Sequence, residues 1–389
     1  MATWYMGPTG IDQLTGGQGT AASKPWLTLK YSEAHMSNND TLLIAPATYN
    51  MTGNTTYIDL DGCTFKSSTP SSTVTFDGST MTTGQDGIGV SGDGNLFEDL
   101  YVNSSKSRGW SIGADDHMAW TNIFRRCGGA YNSDNCFFIG RSPETQLLDC
   151  VVSDSGIPAD HAHNIYINGR ESWSGAHCND VLIDNLLCSD PAGLSQNSAI
   201  HVNGDNDSVI ERCIIRNSTF INKRSGGPMD LMNAHDCSVY NNLFYGSVGN
   251  KWIRCMSDDG GPMNSDGNMI YNNTFVMSGS TGKTAIWFIH LDGGLALYHE
   301  ALNCVAFNNL IFSADPSLAF IDTSGNNFVD TVSNKRLTYS SSLINDYFVD
   351  AANGDYHLKS TAPARDAGVA TYHSVAAPTT DKDGHARPQ

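Results

Sequence analysis

The chain has no run of 18 apolar residues anywhere in its 389, which excludes a hydrophobic helix long enough to cross a membrane. Charged residues are scarce at 16%, and bases are the scarcer sign: 22 Lys and Arg stand against 40 Asp and Glu, a formal net charge of −18. That balance argues against nucleic acid or an anionic membrane as a partner of the surface as a whole, and solubility is its simplest consequence. No CxxC motif and no Cys/His pattern of zinc spacing occurs among the ten cysteines. Disulfide scaffolds belong to small secreted domains. In a chain this long, with Cys188, Cys255 and Cys304 inside apolar strands, buried thiols are expected, with a Cys127–Cys150 bridge as the alternative. The opening Met1-Ala-Thr-Trp-Tyr5 also lacks the pattern of a secretory leader.

What is present is a loose repeat of eight copies between about residue 95 and residue 312. It reads Leu96-Phe-Glu-Asp-Leu100, Asn122-Ile-Phe-Arg-Arg-Cys127, Gln146-Leu-Leu-Asp-Cys150 and Val181-Leu-Ile-Asp-Asn185. It continues as Val209-Ile-Glu-Arg-Cys213, Ser238-Val-Tyr-Asn-Asn242, Met269-Ile-Tyr-Asn-Asn273 and Val305-Ala-Phe-Asn-Asn309. The last residues of successive copies lie 27, 23, 35, 28, 29, 31 and 36 positions apart. A period of that size with apolar alternation predicts a solenoid whose coils cover one another's hydrophobic faces. Stacked Asn and Cys at the end of each copy fit the inward turn of a parallel β-helix, with Cys127, Cys150 and Cys213 at one repeat position. The 38 glycines and many asparagines suit short strands joined by tight turns.

A second strand set alternates with the first: Ile88-Gly-Val90, Trp110-Ser-Ile112, Phe137-Phe-Ile139, Ile165-Tyr-Ile167, Ile200-His-Val202, Met229-Asp-Leu231, Ile253-Arg-Cys255 and Ile286-Trp-Phe288. The reading is therefore all-β, one right-handed parallel β-helix domain. Residues 1–60 form an N-terminal cap and first coil, with a short helix near Ser32–Met36; 61–314 hold the coils; 315–389 hold terminal coils and an irregular tail. Both ends carry a family likeness. Tyr5-Met-Gly-Pro-Thr-Gly-Ile-Asp12, Lys24-Pro-Trp-Leu-Thr-Leu29 and Asp40-Thr-Leu-Leu-Ile-Ala-Pro-Ala-Thr-Tyr49 open the chain. Gly354-Asp-Tyr-His-Leu-Lys359, Ala362-Pro-Ala-Arg-Asp-Ala-Gly368 and Asp381-Lys-Asp-Gly-His-Ala-Arg-Pro388 close it. These segments resemble the pectate-lyase-like superfamily of right-handed parallel β-helix proteins. The resemblance implies carbohydrate as the partner, extracellular or virion-associated location, and one of four roles: polysaccharide lyase, glycoside hydrolase, C5-epimerase or phage tailspike. It does not choose among them.

The chemistry is sought on an outward row. In an apolar-x-apolar strand the middle residue points away from the core, and stacked coils bring those residues about 4.8 Å apart. The row runs Gly89, Ser111, Phe138, Tyr166, His201, Asp230, Arg254, Trp287. A flanking row holds Asp86, Arg108, Asn135, His163, Ser198, Gly227, Lys251 and Thr284. Another holds Asn168 and Asn203 followed by Met232 and Met256, and Arg170, Asp205 and Asp258 stand at strand exits.

β-Elimination from a uronate needs a cation for the carboxylate, a base for the C5 proton and an acid for the leaving oxygen. Arg254, with Lys251 or Arg170, suits the first, since a guanidinium pairs with a carboxylate through two bonds. His201, oriented by Asp230, suits the second, and Tyr166 the third. His163, Asn168, Asn203, Asp205, Asp258 and Trp287 complete a sugar-binding face. A hydrolase would instead need two carboxylates, Asp230 with Asp205 or Asp258. A non-catalytic binder would use Trp287, Tyr166 and Phe138 as stacking platforms. No cofactor is required. Ca²⁺ is the ion that the turn carboxylates Asp205, Asp207, Asp258 and Asp259 would take, and Asp160-His-Ala-His163 offers paired imidazoles. Monomer and tailspike-like trimer are both compatible with the sequence.

Overall fold

Three parallel sheets run the length of the molecule, each built from one short strand per coil. The computed structural model describes residues 1–113, 118–155, 163–169, 178–189, 198–204, 208–222, 227–246, 251–256, 265–278, 284–288, 301–314, 321–322 and 330–387. Among these, the first sheet has 12 strands, from Thr3–Met6 to Asp330–Val332. The second has 11, from Thr48–Gly53 to Lys335–Thr338, and the third has 10, from Thr56–Ile58 to Ile321–Asp322. This is the right-handed parallel β-helix that the periodicity predicted. No helix among the described residues is long and apolar enough to cross a membrane.

The corner between the first and second sheets explains the repeat. Phe124, Leu147, Ile183, Ile215, Val239, Ile270 and Ala306 align in register and point into the core. The second residue after each takes the left-handed conformation: Arg126 (φ 51), Asp149 (φ 56), Asn185 (φ 57), Asn217 (φ 54), Asn241 (φ 57), Asn272 (φ 54) and Asn308 (φ 55). That conformation costs an ordinary L-residue about 1–2 kcal/mol, and Asn and Asp tolerate it best. The next residue turns inward. Asn242, Asn273, Asn309 and Asn334 each accept through Oδ1 from the backbone N–H of the coil before, at 2.9–3.1 Å. The Asn-Asn doublets of the later copies therefore combine one residue chosen for backbone strain with one chosen for a buried hydrogen-bond ladder.

Two of the eight copies fall out of this register. Ile183 pairs with Leu147 and Ile215, so Leu186 and Ser218 occupy the ladder position rather than Asn185 and Cys213. Cys213 sits at the other end of its strand, where its carbonyl accepts from Ser238 N–H. The pattern Val209-Ile-Glu-Arg-Cys213 belongs to a separate short strand, Ile210–Glu211, which pairs with Ala234–His235. Cys213 is thus not equivalent to Cys127 and Cys150. All ten cysteines are buried and free, so no Cys127–Cys150 bridge exists.

Inside, aromatic rings stack coil on coil. Phe65, Phe97 and Phe124 are spaced 5.3 and 4.7 Å, and Phe220, Phe244 and Phe275 are spaced 4.7 and 4.8 Å. Each such buried ring stabilises the fold by about 1.5–3 kcal/mol. The N-terminal helix covers Leu29–Glu33, slightly earlier than expected, because Thr28 caps it by accepting from Tyr31 N–H. A second helix, Ser341–Tyr347, was not evident in the sequence. It begins a tail that lies over the last coils. Ile344, Tyr347, Phe348 and Ala362 cover Val276, Leu310 and Phe312 on the second sheet's outer face. Val369, Tyr372 and Val375 cover Tyr240, Tyr271 and Phe307 on the first sheet's outer face.

Candidate active site

Among the described residues, the tail's apolar clusters do not extend over the third sheet. Its register aligns Tyr57, Gly89, Ser111, Phe138, Tyr166, His201, Asp230, Arg254 and Trp287 in one row. The residues on either side of the central members, Ile165 and Ile167, Ile200 and Val202, Met229 and Leu231, Ile253 and Cys255, are fully buried. Alternation therefore forces the row to the outer face. Gly89 is needed at its place: a Cβ there would lie 2.5 Å from the ring of Tyr57, which rests against that backbone.

Three of these residues, with Ser198 of the flanking row, form one connected group. Asp230 accepts both Nε and Nη2 of Arg254, and its Oδ2 also accepts the hydroxyl of Ser198. His201 Nδ1 lies 3.4 Å from the same Oδ2. A carboxylate only accepts, so Nδ1 carries a proton, and in the neutral ring the lone pair is then on Nε2. Burial alone would raise the Asp230 carboxyl. The hydrogen bonds from His201 and Arg254, with the charge of Arg254, outweigh it and hold the group well below the usual carboxylate range. Arg254 loses stability as a cation by burial but gains more from Asp230, and is held above its ordinary value.

Aromatic contacts surround His201. Tyr166 sits on one neighbouring coil, with ring centroids 5.2 Å apart, and its hydroxyl accepts from Asn203 Nδ2 at 3.2 Å. His163 stacks flat on His201, 4.4 Å away at 8°, while its Nδ1 meets the Ser198 carbonyl at 2.8 Å. Further along, Phe138 meets Tyr166 edge to face, and Arg108 lies 3.7 Å over the Phe138 ring.

The row is less solvated than alternation suggests. Asp230 is 1% exposed and Phe138 3%, although both point outward. The reason is lateral: Arg254, Ser198 and His201 close over Asp230, and Arg108 covers Phe138. The solvent-facing edge of the group consists of His201 and Arg254, with side chains 12% and 28% exposed. The flanking row expected to point outward is also mostly buried. Asn135, His163, Ser198 and Thr284 lie under 10% exposed, since they sit where the chain turns into the strand. His163 thereby holds the backbone of Ser198 and braces His201. Asn135, which accepts His163 N–H at 2.9 Å, and Ser198 are the supporting residues to which sequence reading gave no role; their place in the flanking row was the available signal.

Asn168 aligns with Asn203 beside the row, and Trp287 pairs in register with Arg254. Lys251 pairs with Thr284 through its backbone; its side chain lies outside the described residues, as do Arg170, Asp205, Asp207, Asp258, Asp259 and Asp160. The Ca²⁺ carboxylates therefore lie outside the described residues, and of the paired imidazoles only His163 is described, with Nδ1 on the Ser198 carbonyl.

No known family profile matches the sequence, and no curated protein sequence matches it. Solved structures do. Pectate lyase Pel9A superposes with a TM-score of 0.66 over 100% of this chain and 97% of that one, at 11% identity. A rhamnogalacturonan lyase gives 0.64 over 93% and 96%, at 14% identity. ORF18 of Geobacillus virus E2 gives 0.54 over 77% of this chain and 54% of that one, at 14% identity. Such identities speak for the fold alone: the chain is a parallel β-helix, a fold it shares with these lyases.

Proposed function

We propose that the protein is a polysaccharide lyase that cleaves a uronate-containing chain by β-elimination on the outer face of the third sheet. The observation that carries this reading is the His201–Asp230 pair, with Nδ1 turned to the carboxylate and Tyr166 at the next coil. His201 Nε2 takes the C5 proton, the C4–oxygen bond breaks as the C4=C5 bond forms, and Tyr166 protonates the departing oxygen. Asp230 keeps His201 in the competent tautomer and stabilises the imidazolium that forms. Arg254 gives one edge of its guanidinium to Asp230, and its Nη1 side is left for the sugar carboxylate. Asn168 and Asn203 supply amides for hydroxyl groups, and Trp287 supplies a ring for a neighbouring sugar.

The glycoside hydrolase alternative is weakened by the same geometry. Asp230 already accepts from Arg254, Ser198 and His201, so it has neither the freedom of a nucleophile nor the proton of an acid. A C5-epimerase would use the same base and return a proton to the opposite face. The reading places the protein outside the cell, secreted or carried on a virion, with a polysaccharide as partner and either a monomer or a trimer as assembly.

The test is incubation with polygalacturonate, rhamnogalacturonan and alginate, followed by the ultraviolet absorbance of an unsaturated product. Its appearance supports elimination. New reducing ends without it mean hydrolysis. Inverted uronate without chain cleavage means epimerisation, and retention on an immobilised glycan with no product means a binding protein.

A further inference from the structure

Far from the third sheet, the tail contains a compact group of imidazoles and carboxylates. His357 lies on the hairpin strand Asp355–Leu358, and Asp381 and His385 lie in the final turn of the chain. One ligand atom of each falls within 4.8 Å of the other two, and this is the one such His, Cys, Asp or Glu group among the described residues. Asp355 and Asp383 border it: His357 Nδ1 is 2.6 Å from Asp355 Oδ1, and Nε2 is 2.7 Å from Asp383 Oδ2.

The turn is built before any ligand arrives. Asp381 Oδ1 accepts the backbone N–H groups of Asp383 (3.0 Å) and His385 (2.9 Å), and Asp381 N–H donates to the His385 carbonyl. This turns Asp381 Oδ2 toward the His385 ring, 3.5 Å from Nδ1. Two cations stand nearby. Lys382 Nζ is 2.8 Å from Asp383 Oδ1, and Arg387 is engaged with Asn241 Oδ1 and the Thr380 carbonyl.

We infer that His357, Asp381 and His385 form a binding site for a divalent transition metal of the zinc type, which clasps the tail. Two imidazole nitrogens and one carboxylate oxygen match the ligand preference of Zn²⁺, while Ca²⁺ and Mg²⁺ prefer all-oxygen sets. Tetrahedral Zn²⁺ needs its ligand atoms roughly 3.4 Å apart, given metal–ligand distances of ~2.0–2.1 Å. To ligate the metal, His357 gives up its contact with Asp355 or Asp383 together with the proton on that nitrogen, and the released carboxylate or water serves as fourth ligand. The clasp has a structural purpose. The hairpin and the final turn belong to the same roof over the last coils, and a cavity of about 750 Å³ lies beneath them, lined by Asn241, Asn272, Asn308, His357 and Asp381 among others. A metal joining the two segments strengthens the roof where packing is thin.

The test uses the full chain, stripped with a chelator, desalted and titrated with ZnCl₂ by calorimetry, with metal content measured after gel filtration. The expected result is one Zn²⁺ per chain and slower proteolysis of the 359–387 segment when Zn²⁺ is present. Affinity should fall at least tenfold in His357→Ala and in His385→Ala, with circular dichroism unchanged because both side chains are exposed. Lack of stoichiometric uptake overturns the site. So does uptake that survives unchanged in the His357→Ala/His385→Ala double variant, or Ca²⁺ binding as tightly as Zn²⁺.

Discussion

The outer faces of the three sheets are treated differently. On the first and second sheets they present Tyr271, Phe307, Leu310 and Phe312, and the tail covers them. On the third sheet the outer row presents His201, Asp230, Arg254 and Trp287, and among the described residues the tail's apolar clusters do not include it. These large outward apolar side chains are shielded from water by another segment. On the third sheet's face Asp230 is held by three neighbours. The difference separates residues that pack the scaffold from residues proposed for chemistry on a scaffold whose backbone is nearly the same on every side.

The contrast can be broken most sharply at His201. His201→Ala is expected to lower kcat by about 10²–10⁴-fold, the range for loss of a general base, with an unchanged melting curve; activity at the parental level would remove His201 from the chemistry. Asp230→Ala should damage both properties. It leaves Arg254 partly buried without its partner, a loss of about 3–5 kcal/mol read in urea titration, and activity falls with it.

Asp230 also carries a pH signature. Its folded carboxyl is held below the unfolded value of about 3.9. The stabilisation is complete above that value and is lost as pH falls from there through the folded value. Urea midpoints measured from pH 6 down to pH 3 should show a slope at the acid end that Asp230→Asn lacks; equal slopes in the two proteins would mean that the carboxylate is not held by its neighbours. On the roofed side the pattern reverses. Phe312→Ala should cost about 3–5 kcal/mol by the cavity it opens, with kcat per folded molecule unchanged. Asn273→Ala, in the corner ladder, should cost about 1–3 kcal/mol by leaving the Asn242 N–H without its acceptor. A stability loss there with no change in activity would show that the ladder serves the scaffold alone.

Much of this was legible from local pattern. Strand alternation identified every member of the outer row from Gly89 to Trp287, because inward positions admit only apolar residues. Legibility failed where position depends on neighbours. The burial of Asp230 follows from Ser198 and Arg254 folding over it, which no periodicity encodes. Ile210–Glu211 imitates the repeat because a two-residue strand obeys the same alternation as a full coil strand. The packing of the tail over the coils was not legible because its partners, such as Asn308 for Val369 and Asn241 for Arg387, are distant in sequence.

One feature of the corner reaches beyond stability. The inward residues of the first and second sheets keep one spacing, as in Phe124 and Gly129, Ile215 and Phe220, or Ala306 and Ile311. All the unevenness of the repeat is therefore pushed into the connections entering and leaving the third sheet. Insertions and deletions can accumulate at the margins of the third sheet while the opposite edge stays in step. The architecture thus gives evolution one adjustable rim, beside the proposed site, and a fixed spine to hang it on.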